Sequence, residues 1–363
     1  MNSLTNKRIL ITGVCGTVGK ELLAKLTNPD LYKPVEVVGV DQDESGLFFL
    51  EQEYLSNSNT SFFLGNIRDR EKLSAMMKNI DVVFHSAALK HVSLCEVSPY
   101  DAVQSNIQGV QNIIDAANAN GVEAVIFTSS DKAVNPTNVM GTSKLMGERL
   151  ITAANNARRG RGAVFASTRF GNVLGSNGSV IPIFRNQIAA GGPITLTDPE
   201  MTRFIMSISQ AADLVLKSAD IARGGEVFIT KMPVIRIKDL AEVMIRELAP
   251  VYGRKPEDIA IEVIGSKPGE KLYEELMSDE ETRRSKELED YFAVIPAFKG
   301  FYEQIDYDYD QVVSEVVDNP YHSGIEPVLS QDELLAFLTE NNLLEEINQE
   351  SKIAERYWPG DKK

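Results

Sequence analysis

Cysteine, histidine and basic charge are all scarce in this chain of 363 residues, and each shortage removes a class of function. Two cysteines, Cys15 and Cys95, cannot build a disulfide framework, so a reduced, cytoplasmic setting is expected. Three histidines, His85, His91 and His322, lack the spacing of a zinc site, and no metal is expected. Lysine and arginine number 37 against 52 acidic residues, a formal net charge of −15. With no cationic surplus to neutralise phosphates, neither nucleic acid nor an anionic membrane surface is an expected partner. A local basic pocket for a small phosphate remains compatible with that balance. No apolar run reaches the length of a membrane span, and Met1–Arg8 leads straight into a strand rather than through a signal peptide. Repeats and low-complexity stretches are also missing.

What remains has an ordinary globular balance, 43% hydrophobic and 25% charged. The length suits one large α/β domain with an attached lobe, or two domains. Short β-branched runs at Arg8–Thr12, Val35–Val40, Ser61–Leu64, Val82–His85, Ala124–Thr128 and Ala163–Ser167 read as strands. Amphipathic stretches such as Lys20–Leu26, Arg70–Met77 and Val103–Ala119 lie between them. This alternation predicts an α/β fold with a doubly wound parallel sheet of the Rossmann kind. Beyond it, Gly175–Gly178 and Gly191–Gly192 mark turns, Gly225–Thr230 predicts a strand returning to the same sheet, and Ile237–Glu247 and Gln331–Asn341 predict helices. A smaller, interleaved C-terminal substrate lobe is therefore expected. The boundaries are 1–172 for a dinucleotide-binding domain, 173–348 for most of the lobe, and 349–363 for a polar tail.

Open α/β sheets bind ligands beyond the carboxyl ends of their strands, and the chemistry of this chain collects there. The first strand runs into Gly13, Gly16, Thr17, Val18 and Gly19. Three glycines at this spacing let a pyrophosphate approach the exposed N–H groups of a helix N-terminus. Asp41 ends the second strand, and no arginine follows it. A carboxylate there accepts from ribose hydroxyls and repels a 2′-phosphate, so NAD is expected over NADP. The competing role for Asp41 is to cap the following helix. Later strand ends carry Ala87–His91, Ser129–Lys132 and Arg169–Asn172.

Five stretches together resemble the bacterial nucleotide-sugar 4,6-dehydratases, a branch of the extended short-chain dehydrogenases. They are Ala87–Val92, Ser129–Lys144 (SSDKAVNPTNVMGTSK), Arg169–Pro182, Thr197–Phe204 and Lys267–Leu272. The resemblance covers most of 7–345 and is strongest to soluble UDP-N-acetylglucosamine 4,6-dehydratases of capsule, O-antigen and nonulosonic-acid synthesis. One departure is central. Met140 stands where the Tyr-x-x-x-Lys signature has tyrosine, and a thioether has no proton to give or take. Some members of the subgroup share that methionine.

The resemblance implies a cycle. NAD+ takes hydride from carbon 4, the ketone acidifies the carbon-5 proton, the 6-hydroxyl leaves as water, and hydride returns to carbon 6. It assigns Lys132 as base at carbon 5, Asp131 as acid at the 6-hydroxyl, and Lys144 to the nicotinamide ribose. Ser130 is expected to orient the water that replaces the tyrosine. Lysine must be neutral to act as base, and Lys144, the nicotinamide and burial are expected to lower the pKa of Lys132. The resemblance further implies cofactor contacts at Asn66, Ile67, Ala87, Lys90, Asn106 and Val173. Substrate contacts are implied at Lys90, Met140 and Asn172, along the loop Asn177, Gly178, Ser179, Val180 and Ile181, and at Thr195, Arg203, Lys267, Glu270 and Tyr321. A homo-oligomer, dimer or hexamer, is expected through Val103–Ala119 and Asn138–Ala157. The competing functions are a nucleotide-sugar 4-epimerase, a GDP-linked 4,6-dehydratase and a catalytically silent NAD-binding scaffold.

Overall fold

The computed structural model describes residues 4–157, 162–176, 178–265, 269–298, 304–310 and 312–345. Strand and helix alternate from the start: β1 (Arg8–Thr12), α1 (Thr17–Thr27), β2 (Glu36–Asp41), α2 (Glu44–Glu53), β3 (Thr60–Leu64), α3 (Arg70–Met76) and β4 (Val82–His85). Two short helices follow, α4 (Val92–Val97) and α5 (Pro99–Ala102), then α6 (Gly109–Asn120), β5 (Ala124–Ser130), α7 (Val139–Asn156) and β6 (Val164–Phe170). Apart from the edge strand β3, these strands are buried on both faces, which is why they read as unbroken apolar runs rather than alternating ones.

The stretch expected as one helix, Val103–Ala119, is two elements. Val103–Gln108 is a π-helical segment that runs into α6. Apolar spacing cannot show this, because an inserted residue leaves the period on either side intact. Such bulges collect at functional sites, and this one carries the buried polar side chains of Ser105 and Asn106.

The second half continues with β7 (Asn172–Val173), α8 (Val180–Ala190), β8 (Ile194–Leu196), β9 (Thr202–Met206), α9 (Ile208–Ile221), β10 (Val227–Thr230), β11 (Val234–Arg236) and α10 (Ile237–Leu248). It ends with β12 (Ile261–Val263), β13 (Glu275–Met277), α11 (Asp279–Thr282), β14 (Ser285–Leu288), β15 (Tyr291–Val294), β16 (Val312–Ser314), β17 (Tyr321–His322) and α12 (Gln331–Glu340).

Ten strands form the main sheet, in the order β16-β14-β15-β10-β6-β5-β4-β1-β2-β3. From β3 to β10 every pairing is parallel, and β10 returns from the second half beside β6. Beyond β10 the sheet turns antiparallel through β15, β14 and β16. One face is covered by α1, α2 and α9, whose Leu22, Leu23, Leu47 and Val215 pack on Ile9, Ile11 and Phe84. The other is covered by α3, α6 and α7. A separate core joins α8, α10 and α12 in the lobe, beside the small sheet β11-β9-β7. The fold is thus a doubly wound Rossmann sheet with an interleaved lobe. No helix among the described residues is long and apolar enough to cross a membrane.

Candidate active site

The glycine loop folds as a cradle. Gly13 has φ +73°, and a Cβ there would lie 2.7 Å from the Ala87 backbone; one on Gly19 would lie 2.2 Å from the Gly13 carbonyl oxygen. No side chain caps α1 and no acidic residue sits in its first turn, so its N–H groups face outwards as an anion site. Asp41 is not the cap of α2. Asp43 is, accepting from Gly46 N at 3.0 Å. The Asp41 carboxylate instead accepts from Cys15 N at 2.9 Å, Gln42 N at 2.8 Å and Asp43 N at 3.1 Å, pinning the end of β2 to the glycine loop.

Asn66 bonds Gln42 through its amide at 3.0 Å, and Ile67 is buried against Gly109. Asn106, raised by the π-helical turn, holds the loop after β4: it accepts from Leu89 N at 2.8 Å and donates to Leu89 O and Ser143 Oγ, both at 2.9 Å. Lys90, the next residue, is exposed.

Ser130, Asp131 and Lys132 form one cluster at the end of β5. Ser130 Oγ donates to Asp131 Oδ1 at 2.6 Å, and Lys132 Nζ lies 3.1 Å from the same oxygen. Asp131 is only 1% exposed, and its Oδ2 has no hydrogen-bond partner among the described residues. Lys144 is one turn beyond Met140 on α7. It donates to Thr128 O at 2.9 Å and lies 4.7 Å from the centre of the Phe127 ring. Burial pulls Lys144 down to about 8, with Glu148 opposing. Met140 itself is buried in an apolar cluster with Cys95, Ala102, Leu89, Val92 and Val139.

The expected lowering of Lys132 is reversed. Burial would lower its pKa, but the carboxylates of Asp131 and Glu274 outweigh burial and push it up. Glu274 is the site residue the sequence reading missed. Its Oε1 lies 3.4 Å from Lys132 Nζ and 3.6 Å from Arg203 Nε, and it is 3% exposed. The only signal in the sequence was its place two residues past the stretch that ends at Leu272.

The segment carrying Glu274 is strapped over the β5–α7 loop. Thr137 and Asn138 donate to Gly269 O at 3.0 and 3.1 Å. Lys271 donates to Val134 O at 2.9 Å, and Asn135 to Glu275 Oε1 at 2.9 Å. Arg203, buried on β9, serves the same strap. It donates to the carbonyls of Thr202, Leu272 and Lys271, and Glu270 lies 3.9 Å away.

The remaining expected residues divide. Asn172 and Val173 form β7, Gly178 has φ +75°, and Ser179, Val180 and Ile181 open α8. Among the described residues Ser179 Oγ is buried without a partner, and no side chain caps α8. Thr195 is tied to Gln187 at 2.8 Å. Tyr321 is a core residue: its hydroxyl accepts from Met232 N and donates to Met232 O, and its ring packs on Phe204 and Phe292. Asn177, Lys267 and the tail 349–363 lie outside the described residues. No group of three or more His, Cys, Asp or Glu side chains among the described residues could hold a metal ion.

Comparison with known proteins gives one family and relatives named for two different reactions. The family described as polysaccharide biosynthesis protein matches residues 9–296. An uncharacterized membrane protein of Methanocaldococcus jannaschii is 52% identical over 295 residues, 81% of this chain and 87% of the relative. A UDP-N-acetylglucosamine 4,6-dehydratase (inverting) of Campylobacter jejuni is 40% identical over 81% of this chain and 84% of its own length. A UDP-glucose 4-epimerase of Rickettsia canadensis is 37% identical over 80% and 83%. The X-ray structure of Pen from Bacillus thuringiensis superposes with a TM-score of 0.86 at 42% identity, covering 94% of this chain and 99% of that one.

Proposed function

The chain belongs to the polysaccharide biosynthesis protein family, and on that premise we propose that it is an NAD-dependent UDP-N-acetylglucosamine 4,6-dehydratase. The observation that carries the reading is the Ser130–Asp131–Lys132 cluster built around the buried Asp131, where one carboxylate oxygen meets both a hydroxyl at 2.6 Å and an ammonium at 3.1 Å. An acid and a base held side by side suit elimination across carbons 5 and 6. On this reading residues 1–172 hold NAD, through the glycine cradle, Asp41 and Lys144, and 173–348 hold the sugar nucleotide, with the α8 N-terminus at the diphosphate.

Bound NAD+ supplies the acceptor for the carbon-4 hydride and the donor that returns it at carbon 6. Everything else concerns protons on this chain's own side chains. Met140 handles none, so the 4-hydroxyl proton passes through water at Ser130 and on to Asp131 Oδ1. Asp131, now neutral, gives that proton to the departing 6-hydroxyl, and one water leaves. The proton released at carbon 4 is thus the one consumed at carbon 6, and Asp131 ends each cycle as it began. Lys132 takes the carbon-5 proton and later returns it.

Purified protein incubated with UDP-N-acetylglucosamine and NAD+ should give a product lighter by one water in the mass spectrum. A product of unchanged mass and altered stereochemistry would instead establish an epimerase, the activity named for the Rickettsia relative. Lys132→Ala should abolish water loss while leaving NAD bound; robust turnover by that variant removes Lys132 from the mechanism.

A further inference from the structure

We propose that Glu274 stores the proton of Lys132 during elimination, so that the base at carbon 5 is a Lys132–Glu274 pair sharing one proton. This deepens the dehydratase reading and rests on it. The argument begins with proton accounting. Lys132 Nζ lies between two carboxylates, Asp131 Oδ1 at 3.1 Å and Glu274 Oε1 at 3.4 Å. A lysine so placed rests as a cation and has no lone pair for carbon 5. Asp131 cannot relieve it, because Asp131 must already carry the proton destined for the 6-hydroxyl. Glu274 is the other base in contact.

Its surroundings suit the task. Glu274 is 3% exposed, and its Oε2 is buried with no hydrogen-bond partner among the described residues. A permanently ionised buried carboxylate needs donors on both oxygens. Burial raises its pKa and Asp131 adds to the rise, while Lys132, Arg203 and Lys271 oppose it. Arg203 Nε lies 3.6 Å from Glu274 Oε1, while its NH1 and NH2 groups donate to the Thr202, Leu272 and Lys271 carbonyls rather than to Glu274.

The steps balance. An N–H bond of Lys132 breaks and an O–H bond forms on Glu274 Oε1. The free amine takes the carbon-5 proton, whose bonding pair passes into the enolate of the 4-ketone. The enolate expels the 6-hydroxyl with the Asp131 proton. When carbon 5 is reprotonated from Lys132, Glu274 returns its proton to the amine. Glu274 reaches the reacting atoms only through Lys132 and is a positioning residue.

The test is Glu274→Gln, read by uptake of solvent deuterium at carbon 5 of the 4-keto-6-deoxy product, an exchange that needs no hydride transfer. The amide cannot store a proton. Exchange should fall roughly 10²-fold at neutral pH and recover as rising pH deprotonates Lys132 directly to the neutral amine, whereas the wild type should lack that steep dependence. Exchange equal to wild type, or reduced by one factor at every pH, overturns the proposal. If the glutamine variant does not fold, Glu274→Asp carries the test: a wild-type pH shape at reduced rate supports the proposal, and the steep alkaline recovery expected of glutamine overturns it. Wild-type protein that forms no dehydrated product from UDP-N-acetylglucosamine removes the underlying reading; wild-type dehydration with unchanged exchange in the glutamine variant removes this proposal alone.

Discussion

Replacing Arg169 with methionine should be among the most damaging single changes in the molecule. Arg169, the penultimate residue of β6, is 1% exposed, and its guanidinium is filled from three elements. It donates to Glu148 of α7 at 3.0 and 2.7 Å, to Glu281 of α11 at 3.0 and 3.1 Å, and to the Leu276 carbonyl of β13 at 2.7 Å. Arg169, with the Ser278 backbone N–H, overcomes burial and holds the Glu281 carboxyl at about 2. Referred to an ordinary glutamate, that depression corresponds to about 3 kcal/mol. Stranding a buried partner commonly costs about 3–5 kcal/mol, so the two routes agree. For 363 residues the unfolding entropy is about 0.8 kcal/mol/K, and Tm should fall by roughly 4–7 °C at pH 7. Scanning calorimetry reads this directly. The Glu281 contribution is complete above about pH 4.5 and is lost as pH falls towards about 2, because the folded-state pKa lies below the unfolded one. The gap between wild type and variant should therefore close across that window. Adding Glu148→Gln and Glu281→Gln to the variant should recover most of the loss, since no uncompensated charge is then buried. A single Arg169→Met variant melting within about 1 °C of wild type at pH 7 would refute the reasoning.

Two further changes separate cofactor geometry from chemistry. Gly19→Ala places a Cβ 2.2 Å from the Gly13 carbonyl oxygen, so titration calorimetry should show NAD binding at least about tenfold weaker, roughly 1.4 kcal/mol; unchanged affinity would show that the loop yields freely. Met140→Leu keeps the apolar cluster filled and should cost less than about 1.5 kcal/mol of stability, with dehydration rates near wild type; a collapse of the rate would place the thioether in the chemistry.

The parallel half of the fold was legible because each strand is short, apolar and followed by polar or glycine punctuation. The expected runs at Arg8–Thr12 and Val82–His85 coincide with β1 and β4. The antiparallel extension was not legible. β14 and β16 are short, partly exposed and mixed in composition, so they carry neither the apolar run nor the clean alternation of a strand. The same divide runs through the site. Ser130, Asp131 and Lys132 are adjacent in sequence and were found together. Glu274 meets Lys132 only because the strap crosses from 142 positions later, and no local pattern records a contact of that separation. The charge argument for Lys132 is inverted by Asp131 first and Glu274 second, because neighbouring cations alone do not set the balance once two carboxylates flank the ammonium. Tyr321 shows the opposite error, a polar side chain whose hydroxyl is engaged by the Met232 backbone.

The return of β10 to the main sheet limits how the molecule can move. Two halves joined by a linker can swing apart on a hinge. Here the chain leaves β6, builds part of the lobe, re-enters beside β6 as β10, and extends the same sheet through β15, β14 and β16. Swinging the halves apart would tear backbone hydrogen bonds from the middle of a ten-stranded sheet. Any opening of the candidate site therefore falls on smaller segments, such as the strap from Gly269 to Glu275 that bonds the β5–α7 loop. The strap carries Glu274 and holds Arg203, so lifting it to admit a substrate would also dismantle the charge cluster around Lys132, and closure would rebuild it around whatever had bound.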